Sequence, residues 1–521
     1  MLARWFALLS VVAVSTAARA DDAPYVPPDF LNATPPLPES VPAANALRLD
    51  LAQALQIAVR QNLGVTLERQ NTEVAALEVD VARGLFEPEL VANYAHGSSR
   101  IPPASAQEGM AGDILRFSDD RWDLGIRERV ATGMQLSATW TSSRSDSSLG
   151  TAVEPINYRS EVTLGLTQPL LRGFSPDLEI PQLAILQARI SSDRQRLQLS
   201  VSVSDVVERT EAAYWEVLRA LYNYDLQRRS QKRAEEQLDL TKRQITAGAI
   251  PPADVISAES TLAQRQLQLV QAEQSVEASW DALRAILNLP REDWAKPIIP
   301  VDVPRFVPHP LSAEQALQTA LGHRPEIEQM DLELKSSALS VRKADNDKLP
   351  QIDLGLSGTV IGQDAEYSTA LDQLGGFDGR GWNVFVNFTW TPLRRATSAQ
   401  AEIERTRHEM TTARREQLVQ QIWFAVREAV RNQDNAARQV AAAAHFREIA
   451  EKTLEVEQRK FLNGTSSQVV VAQRQEELAA AQISEVGAVL DHNKAVAALA
   501  HATGELLTQK HIELTVAAPK R

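Results

Sequence analysis

Residues 54–58 read ALQIA and residues 316–320 read ALQTA, 262 residues farther along the chain. The same offset maps Pro88 onto Pro350 without a gap. Each of these prolines follows a helical pattern and precedes a segment in which apolar and polar residues alternate. An internal repeat constrains the architecture of a chain more strongly than local propensity does. The sequence therefore predicts two copies of one unit, which runs short helix, strands, very long helix, tip and short helix.

A very long helix is predicted in each copy, over about 178–247 and about 396–462. No proline interrupts either segment after Pro181. At a rise of 1.5 Å per residue, some 70 residues form roughly 100 Å of helix, which is far longer than a globular domain needs. Small and apolar residues recur at heptad spacing, at Val206, Thr210, Ala213, Val217, Ala220 and Tyr224 and at Ile422, Val426, Ala429, Gln433, Ala436 and Val440. This spacing predicts a coiled coil or a helical barrel.

Between the helices lie segments in which residue types alternate with a period of two, as in a strand with two different faces. In 382–390, WNVFVNFTW, one face is apolar and has Trp382 and Trp390 at its ends, about 26 Å apart at 3.3 Å per residue. Trp140 stands on the apolar face of a similar segment. Aromatic residues at the ends of an apolar strand face are typical of the girdle of a membrane β-barrel.

A soluble sheet that is packed on one side would produce the same alternation in a single strand. We favour membrane strands because the chain also carries an export signal. One chain offers too few strands to close a barrel, and an open sheet edge cannot exist in lipid, so several chains must close it. The connections at about 99–120, 145–157 and 362–380 are rich in Gly, Ser and Asp and are predicted to be extracellular loops.

The N-terminus has the pattern of a secretory signal peptide. An apolar run from Trp5 to Val14 is followed by Ala18-Arg19-Ala20, a typical cleavage site. The run is too short to span a membrane, which takes about 20 residues. The predicted divisions of the chain are a signal peptide at 1–20, an extended Pro/Ala-rich arm at 21–47, a first repeat at 48–289, a linker at 290–310, a second repeat at 311–507 and a tail at 508–521.

The composition excludes several functional classes. The formal net charge is −13, whereas a nucleic-acid partner requires a basic surface. The absence of cysteines excludes a disulfide framework and a Cys-based metal site. The eight histidines lack the spacing of metal ligands, and no glycine-rich phosphate-binding loop occurs. We therefore predict that the chain is not an enzyme and holds neither a metal nor a cofactor.

The duplicated plan resembles the TolC-like outer-membrane efflux protein family, over roughly 48–507. The resemblance rests on the order and duplication of motifs that are each weak alone: LAQALQIAVRQN at 51–62, SAEQALQTALGHRPEI at 312–327, QPLLRG at 168–173, ITAGAIPPADVISAESTLAQ at 245–264 and FLNGTSSQVVVAQRQEEL at 461–478. It implies an α+β membrane protein that forms a homotrimer. The three chains share one transmembrane β-barrel, which continues into a long periplasmic α-helical barrel.

The resemblance also implies partners and sites. The helix-to-helix tips, Ala247-Gly248-Ala249 and Asn463-Gly464-Thr465, would dock onto a periplasmic adaptor protein that connects to an inner-membrane transporter. Glycine suits such reversals because a helix end favours a left-handed residue. Asp254 and Phe461 are candidates for a gate or, in the case of Asp254, for a helix cap. The aromatic girdle of Trp140, Trp382 and Trp390 would contact outer-membrane lipid.

This sequence departs from the family pattern in two informative places. Residues 465–471, TSSQVVV, carry no charge, although the family often has an acidic gate after the second tip. The first copy also has about 39 extra residues, which contain strand-like runs at 122–130 and 134–144 joined at Ala131-Thr132-Gly133. If these runs join the barrel, each chain supplies six strands instead of four.

We therefore predict that the chain is the outer-membrane exit duct of a tripartite efflux pump and passively conducts small molecules such as drugs and toxic compounds. An alternative is the exit channel of a type I protein-secretion system, which would use the same kind of duct. A remote alternative is a soluble periplasmic coiled-coil adaptor. The duplication and the lipid-type strands count against this last class.

Overall fold

The structure is a computed structural model that describes residues 36–38, 46–102, 114–148, 156–247, 251–308, 311–463 and 465–513. Of residues 254, 462 and 468 it describes the backbone alone. The predicted signal peptide at 1–20 and most of the predicted arm at 21–47 lie outside these ranges.

The internal repeat is visible in the helices that open each copy. Both copies contain a helix of 11 residues followed by one of 22 residues, and every boundary is shifted by the offset of 262. The Asn62 side chain starts the second helix of the first copy by accepting hydrogen bonds from the backbone of Gly64 and Val65, whereas Pro325 starts its counterpart. These helices are α1 (Leu51–Gln61), α2 (Leu63–Gly84), α5 (Ala313–His323) and α6 (Pro325–Asn346).

The predicted long helices are present, with 64 and 68 residues. The helix after each tip was expected to be short, but it has 34 or 35 residues. Buried apolar residues continue to its end, at Leu283 and Leu287 in one copy and at Leu499 and Ala502 in the other. Within the described ranges, no helix is long and apolar enough to cross a membrane. These elements are α3 (Leu183–Thr246), α4 (Asp254–Leu287), α8 (Arg395–Leu462) and α9 (Gln468–Ala502), followed by α10 (Leu506–Gln509).

The predicted heptad seams are largely buried. In α3, Val206, Thr210, Val217 and Tyr224 are at most 3% exposed. In α8, Ile422, Val426, Gln433 and Val440 are at most 2% exposed. Ala213 and Ala429 are only partly buried. The seams therefore serve as packing surfaces within the chain.

Six strands form one antiparallel sheet in the order β2-β3-β4-β5-β7-β8. The predicted extra runs belong to β3 and β4, which lie between β2 and β5 and are joined by a turn at Gly133, where φ is 82°. With its helices, this sheet confirms the predicted α+β class. The strands are β2 (Glu89–Ile101), β3 (Leu115–Arg129), β4 (Gln135–Ser147), β5 (Ile156–Pro169), β7 (Gln351–Asp364) and β8 (Gly379–Thr389).

The predicted loop at 362–380 contains a helix, α7 (Tyr367–Gly376). This helix packs on β5 and β7, where Gly362 leaves space for the carbonyl oxygen of Ala370. Ala370 and the neighbouring Ser160 are fully buried. The loop prediction was wrong here because the apolar positions of so short a helix are few, and its stability comes from contact with the sheet.

Contacts divide the chain into two units, and each unit takes segments from both repeats. One unit contains the sheet, α2, α6 and the first parts of α3 and α8. The other contains the tip-side parts of α3 and α8, α4 and most of α9. The predicted domain boundaries follow the repeats and stay a prediction.

The unit that contains α4 and most of α9, called the tip-side unit below, includes a short parallel pair of strands. Strand β1 (Leu47–Leu49) pairs with β6 (Ile298–Pro300), which lies within the predicted linker at 290–310. The Tyr214 hydroxyl lies 3.0 Å from the carbonyl oxygen of Leu49 and 2.5 Å from a carboxylate oxygen of Asp302. Burial and the neighbouring Asp302 carboxylate raise the pKa of Tyr214 above its usual value, so the hydroxyl keeps its proton. The hydroxyl connects β1, at Leu49, to the linker, at Asp302.

Gly362→Ala is expected to displace α7 from the sheet, because a Cβ at this position would overlap the Ala370 carbonyl. We expect a cost of about 1–3 kcal/mol, measured as faster proteolysis and faster amide exchange within α7. Gly358→Ala in the same strand is the matched control, since a Cβ there meets nothing within 4 Å. Equal protection of α7 in both variants would contradict this packing.

Candidate functional site

The pairing register places most of the apolar residues of the six strands on one face of the sheet. One row across the strands contains Leu90, Ile126, Ala138, Leu164, Gly358 and Trp382. Trp382 is 80% exposed and Leu90 is 78% exposed. A single chain therefore displays a broad apolar sheet surface, which we call the apolar face.

The opposite face of the sheet is polar. The Thr141 hydroxyl donates to the Asp123 carboxylate over 2.7 Å, and Arg159 forms an ion pair of 2.9 Å with Glu161. These pairs satisfy the polar side chains within the face itself. Phe385 is an exception, and its ring stands over Gly355, where no side chain competes for the space.

The three predicted girdle tryptophans occupy different places. Trp382 and Trp140 lie in adjacent rows of the apolar face, and the Trp140 indole donates to the Ser160 hydroxyl over 2.8 Å. Trp390 directly follows β8, and the Arg394 guanidinium lies 5.9 Å from its ring centre. Their role as a lipid-contacting girdle stays a prediction.

A second aromatic group lies where the sheet meets α7. The ring of Tyr367 lies 6.3 Å from Trp122 and 5.7 Å from Tyr158, measured between ring centres. The sequence reasoning did not single out these residues. The period-two position of Trp122 in β3 was an available signal, but its contact with Tyr367 depends on the unpredicted helix.

The first predicted tip is described only in part. The backbone of Ala247 donates to Arg243 and closes the last turn of α3 over 3.0 Å, whereas Gly248 and Ala249 lie outside the described residues. The next helix begins at Asp254, and Ala253 occupies its N-cap position without a side-chain hydrogen bond. The role of Asp254 as gate or cap stays a prediction.

The second tip is held by the end of α8. Both the backbone and the hydroxyl of Thr465 donate to the Lys460 carbonyl, over 2.9 and 3.0 Å. The Ser466 hydroxyl donates to Glu457, and this bond, with Lys460 nearby, lowers the pKa of the Glu457 carboxyl. The start of the uncharged stretch at 465–471 is therefore hydrogen-bonded to the last turns of α8, at Lys460 and Glu457.

The other residues predicted at this tip are Phe461, Asn463 and Gly464. Phe461 is 38% exposed on the last turn of α8. The Asn463 backbone donates to Arg459 over 3.2 Å, and Gly464 lies outside the described residues. Neither the docking role of this tip nor a gating role for Phe461 is tested by these positions.

Two ion pairs connect the helices that lead from the tips. Arg265 of α4 pairs with Glu476 of α9, so the hairpins of the two repeats meet. Arg447 of α8 pairs with Glu485 of α9 over 2.6 Å, and the Glu485 side chain is completely buried. A buried carboxylate requires such a partner, because an uncompensated charge in the interior is costly.

The helix α2 carries an exposed apolar stripe that the sequence reasoning missed. Its residues are 50–75% exposed and recur at heptad spacing, which was the available signal. They are Leu63, Leu67, Val74, Leu77 and Val81. In the second repeat, Leu332 and Leu339 of α6 instead pack against Leu183 and Ile190 of α3. We call the exposed set the α2 stripe.

No group of three or more His, Asp or Glu side chains is placed to hold a metal ion in the part of the chain that the structure describes. The candidate site consists of two kinds of surface, the apolar sheet face and the helix tips.

Comparison with known families agrees with this geometry. Residues 128–289 and 316–505 match the family described as outer membrane efflux protein. The two matched segments correspond to the two repeats and together cover more than half of the chain. The chain belongs to this family of outer-membrane transport channels, which is not a family of enzymes. The predicted family and the predicted location in the outer membrane, with a periplasmic helical extension, are confirmed.

Solved outer-membrane channels share the fold. The CmeC channel of Campylobacter jejuni aligns with a TM-score of 0.63 and 15% identity, over 88% of this chain and 86% of that one. VceC of Vibrio cholerae aligns at 0.62 and 15%, over 87% and 96%. The MtrE channel of Neisseria gonorrhoeae aligns at 0.58 and 17%, over 88% and 89%. No curated protein matches the sequence.

Arg447→Met is expected to destabilise the packing of α9 on α8, because it leaves the buried Glu485 charge without this partner. The loss should be about 3–5 kcal/mol, and Arg447→Met with Glu485→Met should recover much of it. Thermal unfolding in detergent measures both effects. Arg459→Met is the matched control, since its pair with Glu455 is exposed and should contribute about 0–1 kcal/mol. A double variant as unstable as the single one would contradict the pairing.

Proposed function

We propose that the chain is one third of a homotrimeric exit duct, in which three sheets close a β-barrel in the outer membrane and the helices form a periplasmic tunnel. The observation that carries this proposal is the six-stranded sheet with one exposed apolar face. Each edge strand of the described sheet is paired on one side only. Lipid covers an apolar face without a cost in free energy. Because lipid offers no hydrogen-bonding groups, the backbone N–H and C=O groups of both edge strands must also be paired.

The α2 stripe supports the association of several copies. In the second repeat, the face of α6 that corresponds to this stripe is covered by α3 of the same chain. The counterpart of α3 in the second repeat is α8, and its first half carries the exposed apolar residues Met410 and Ile403. Met410 is 50% exposed and Ile403 is 45% exposed. We therefore propose that α8 of a neighbouring copy covers the α2 stripe.

A contact between two different surfaces closes into a ring when each copy is rotated by the same fraction of a turn. The number three follows from the resemblance to the family. In such a ring, the polar face of each sheet lines the lumen, and the apolar face contacts lipid.

The tips then lie at the periplasmic end of the tunnel, where we propose that they dock onto an adaptor protein linked to an inner-membrane transporter. The energy for transport comes from that partner, because the sequence has no phosphate-binding loop. Small molecules such as drugs are the proposed cargo.

Val384→Arg is expected to reduce the amount of protein that inserts into the outer membrane. A cationic side chain at the middle of a lipid-facing strand costs about 2–4 kcal/mol, whereas a charge toward the lumen is tolerated. Asn383→Arg is the matched control, because it lies one residue away on the polar face. Quantitative blotting of outer-membrane fractions measures the difference. Equal insertion of both variants would argue against lipid on the apolar face.

Gly248→Leu and Gly464→Leu are each expected to reduce drug export at least about tenfold while trimers still form in the outer membrane. The left-handed helix end that the sequence predicts at each tip disfavours leucine, and a bulky side chain would obstruct docking. Drug accumulation in cells and native mass of the purified protein give the two readouts. Gly322→Leu is the control, since a Cβ at this exposed glycine of α5 meets nothing within 4 Å. Unchanged export in both tip variants would remove the tips from the docking role.

A further inference from the structure

We infer that the shared barrel has eighteen strands and that its seams join β8 of one copy to β2 of the next. This inference rests on the proposed homotrimer and adds the composition and width of its membrane wall. The first observation is that the extra hairpin is fully paired on both sides. The pairing of β3 with β2 runs from Arg127 and Glu89 to Leu115 and Ile101.

On its other side, β4 pairs with β5 from Gln135 and Thr167 to Asp146 and Ile156. Both contacts extend over nearly the whole length of the strands. The hairpin therefore separates β2 from β5 as part of the wall and is not an appendage to a four-stranded sheet.

The two faces continue without interruption through the hairpin. Leu124 of β3 and Trp140 of β4 lie in one row with Val162 and Val360 on the apolar face. In the neighbouring polar row, Gly125 and Thr139 continue the line of Thr163. A strand slipped by one residue would present its polar side chains to lipid, so the hairpin has the register that a membrane wall requires.

The edges of the sheet determine how copies can join. Six strands alternate in direction, so the edge strands β2 and β8 are antiparallel to each other. Joining β8 of one copy to β2 of the next therefore continues the antiparallel order around the ring. The proposed helix contact joins the same two edges. Helix α2 leads directly into β2, and β8 leads into α8. The sheet seam and the α2 stripe thus involve the same neighbour.

Strand number sets the width of a barrel. With strands about 4.8 Å apart and tilted by about 40°, eighteen strands give a backbone radius of roughly 18 Å, whereas twelve give roughly 12 Å. The additional hairpin therefore widens the outer-membrane exit by about half, and this duct releases bulkier cargo at the cell surface than a twelve-stranded one.

Disulfide mapping tests the wall directly, because the chain has no cysteine of its own. Val91→Cys on the polar face of β2 is combined in turn with Gly381→Cys, Asn383→Cys or Asn387→Cys on the same face of β8. Oxidation is carried out on the full chain in membranes, and a disulfide requires Cα atoms about 4.4–6.8 Å apart. Non-reducing gels should show covalent dimers and trimers, and no larger species, for at least one pair.

A second pair tests the place of the hairpin. Val91 and Thr163 lie in one row but are separated by β3 and β4, about 14 Å across three strand spacings. Val91→Cys with Thr163→Cys should therefore form no disulfide within a chain. Thr163→Cys with Thr359→Cys is the positive control, since these residues are direct partners.

The outcomes separate the two proposals. A disulfide between positions 91 and 163 within one chain would place β2 beside β5 and overturn the eighteen-stranded wall, while the homotrimer stands. Trimers by native mass without any disulfide between chains would overturn the β8–β2 seam. A native mass other than three chains would overturn the proposed homotrimer itself.

Discussion

Backbone hydrogen bonding is the constraint on which the rest of the structure depends. A sheet edge exposes a row of N–H and C=O groups, and in hydrocarbon each unpaired group costs several kcal/mol. The six-stranded sheet has two such edges and one exposed apolar face. The proposed assembly satisfies both requirements at once, since neighbouring copies pair the edges and lipid covers the face. Association is then a condition for membrane insertion rather than a later step.

The duplication allows one helical surface to be used in two ways. In the second repeat, Leu332 and Leu339 of α6 are covered by the first part of α3. The corresponding α2 stripe is exposed in a single chain. A chain with two repeats can cover only one of two equivalent surfaces internally, because the first repeat has no preceding repeat whose long helix could cover α2. In the proposed assembly, α8 of the neighbouring copy takes that place.

Buried polar groups connect the elements of the tip-side unit. The Tyr214 hydroxyl contacts both β1, at Leu49, and the linker, at Asp302. The buried Glu485 of α9 is paired with Arg447 of α8. Such groups contribute specificity of position more than net stability, because their desolvation offsets much of the attraction. Within the predicted linker at 290–310, β6 pairs with β1.

The sequence by itself determined the duplication, the long helices with their seams, the family and the apolar strand faces, because periodicity and repeat offsets are properties of local order along the chain. Only the tertiary structure decided that the extra hairpin joins the sheet between β2 and β5, that α7 packs on Gly362, and that the α2 stripe is exposed among the residues that the structure describes. These features depend on which distant segments meet. Ala370 lies beside Gly362, and Leu339 beside Leu183, through contacts that no local pattern encodes.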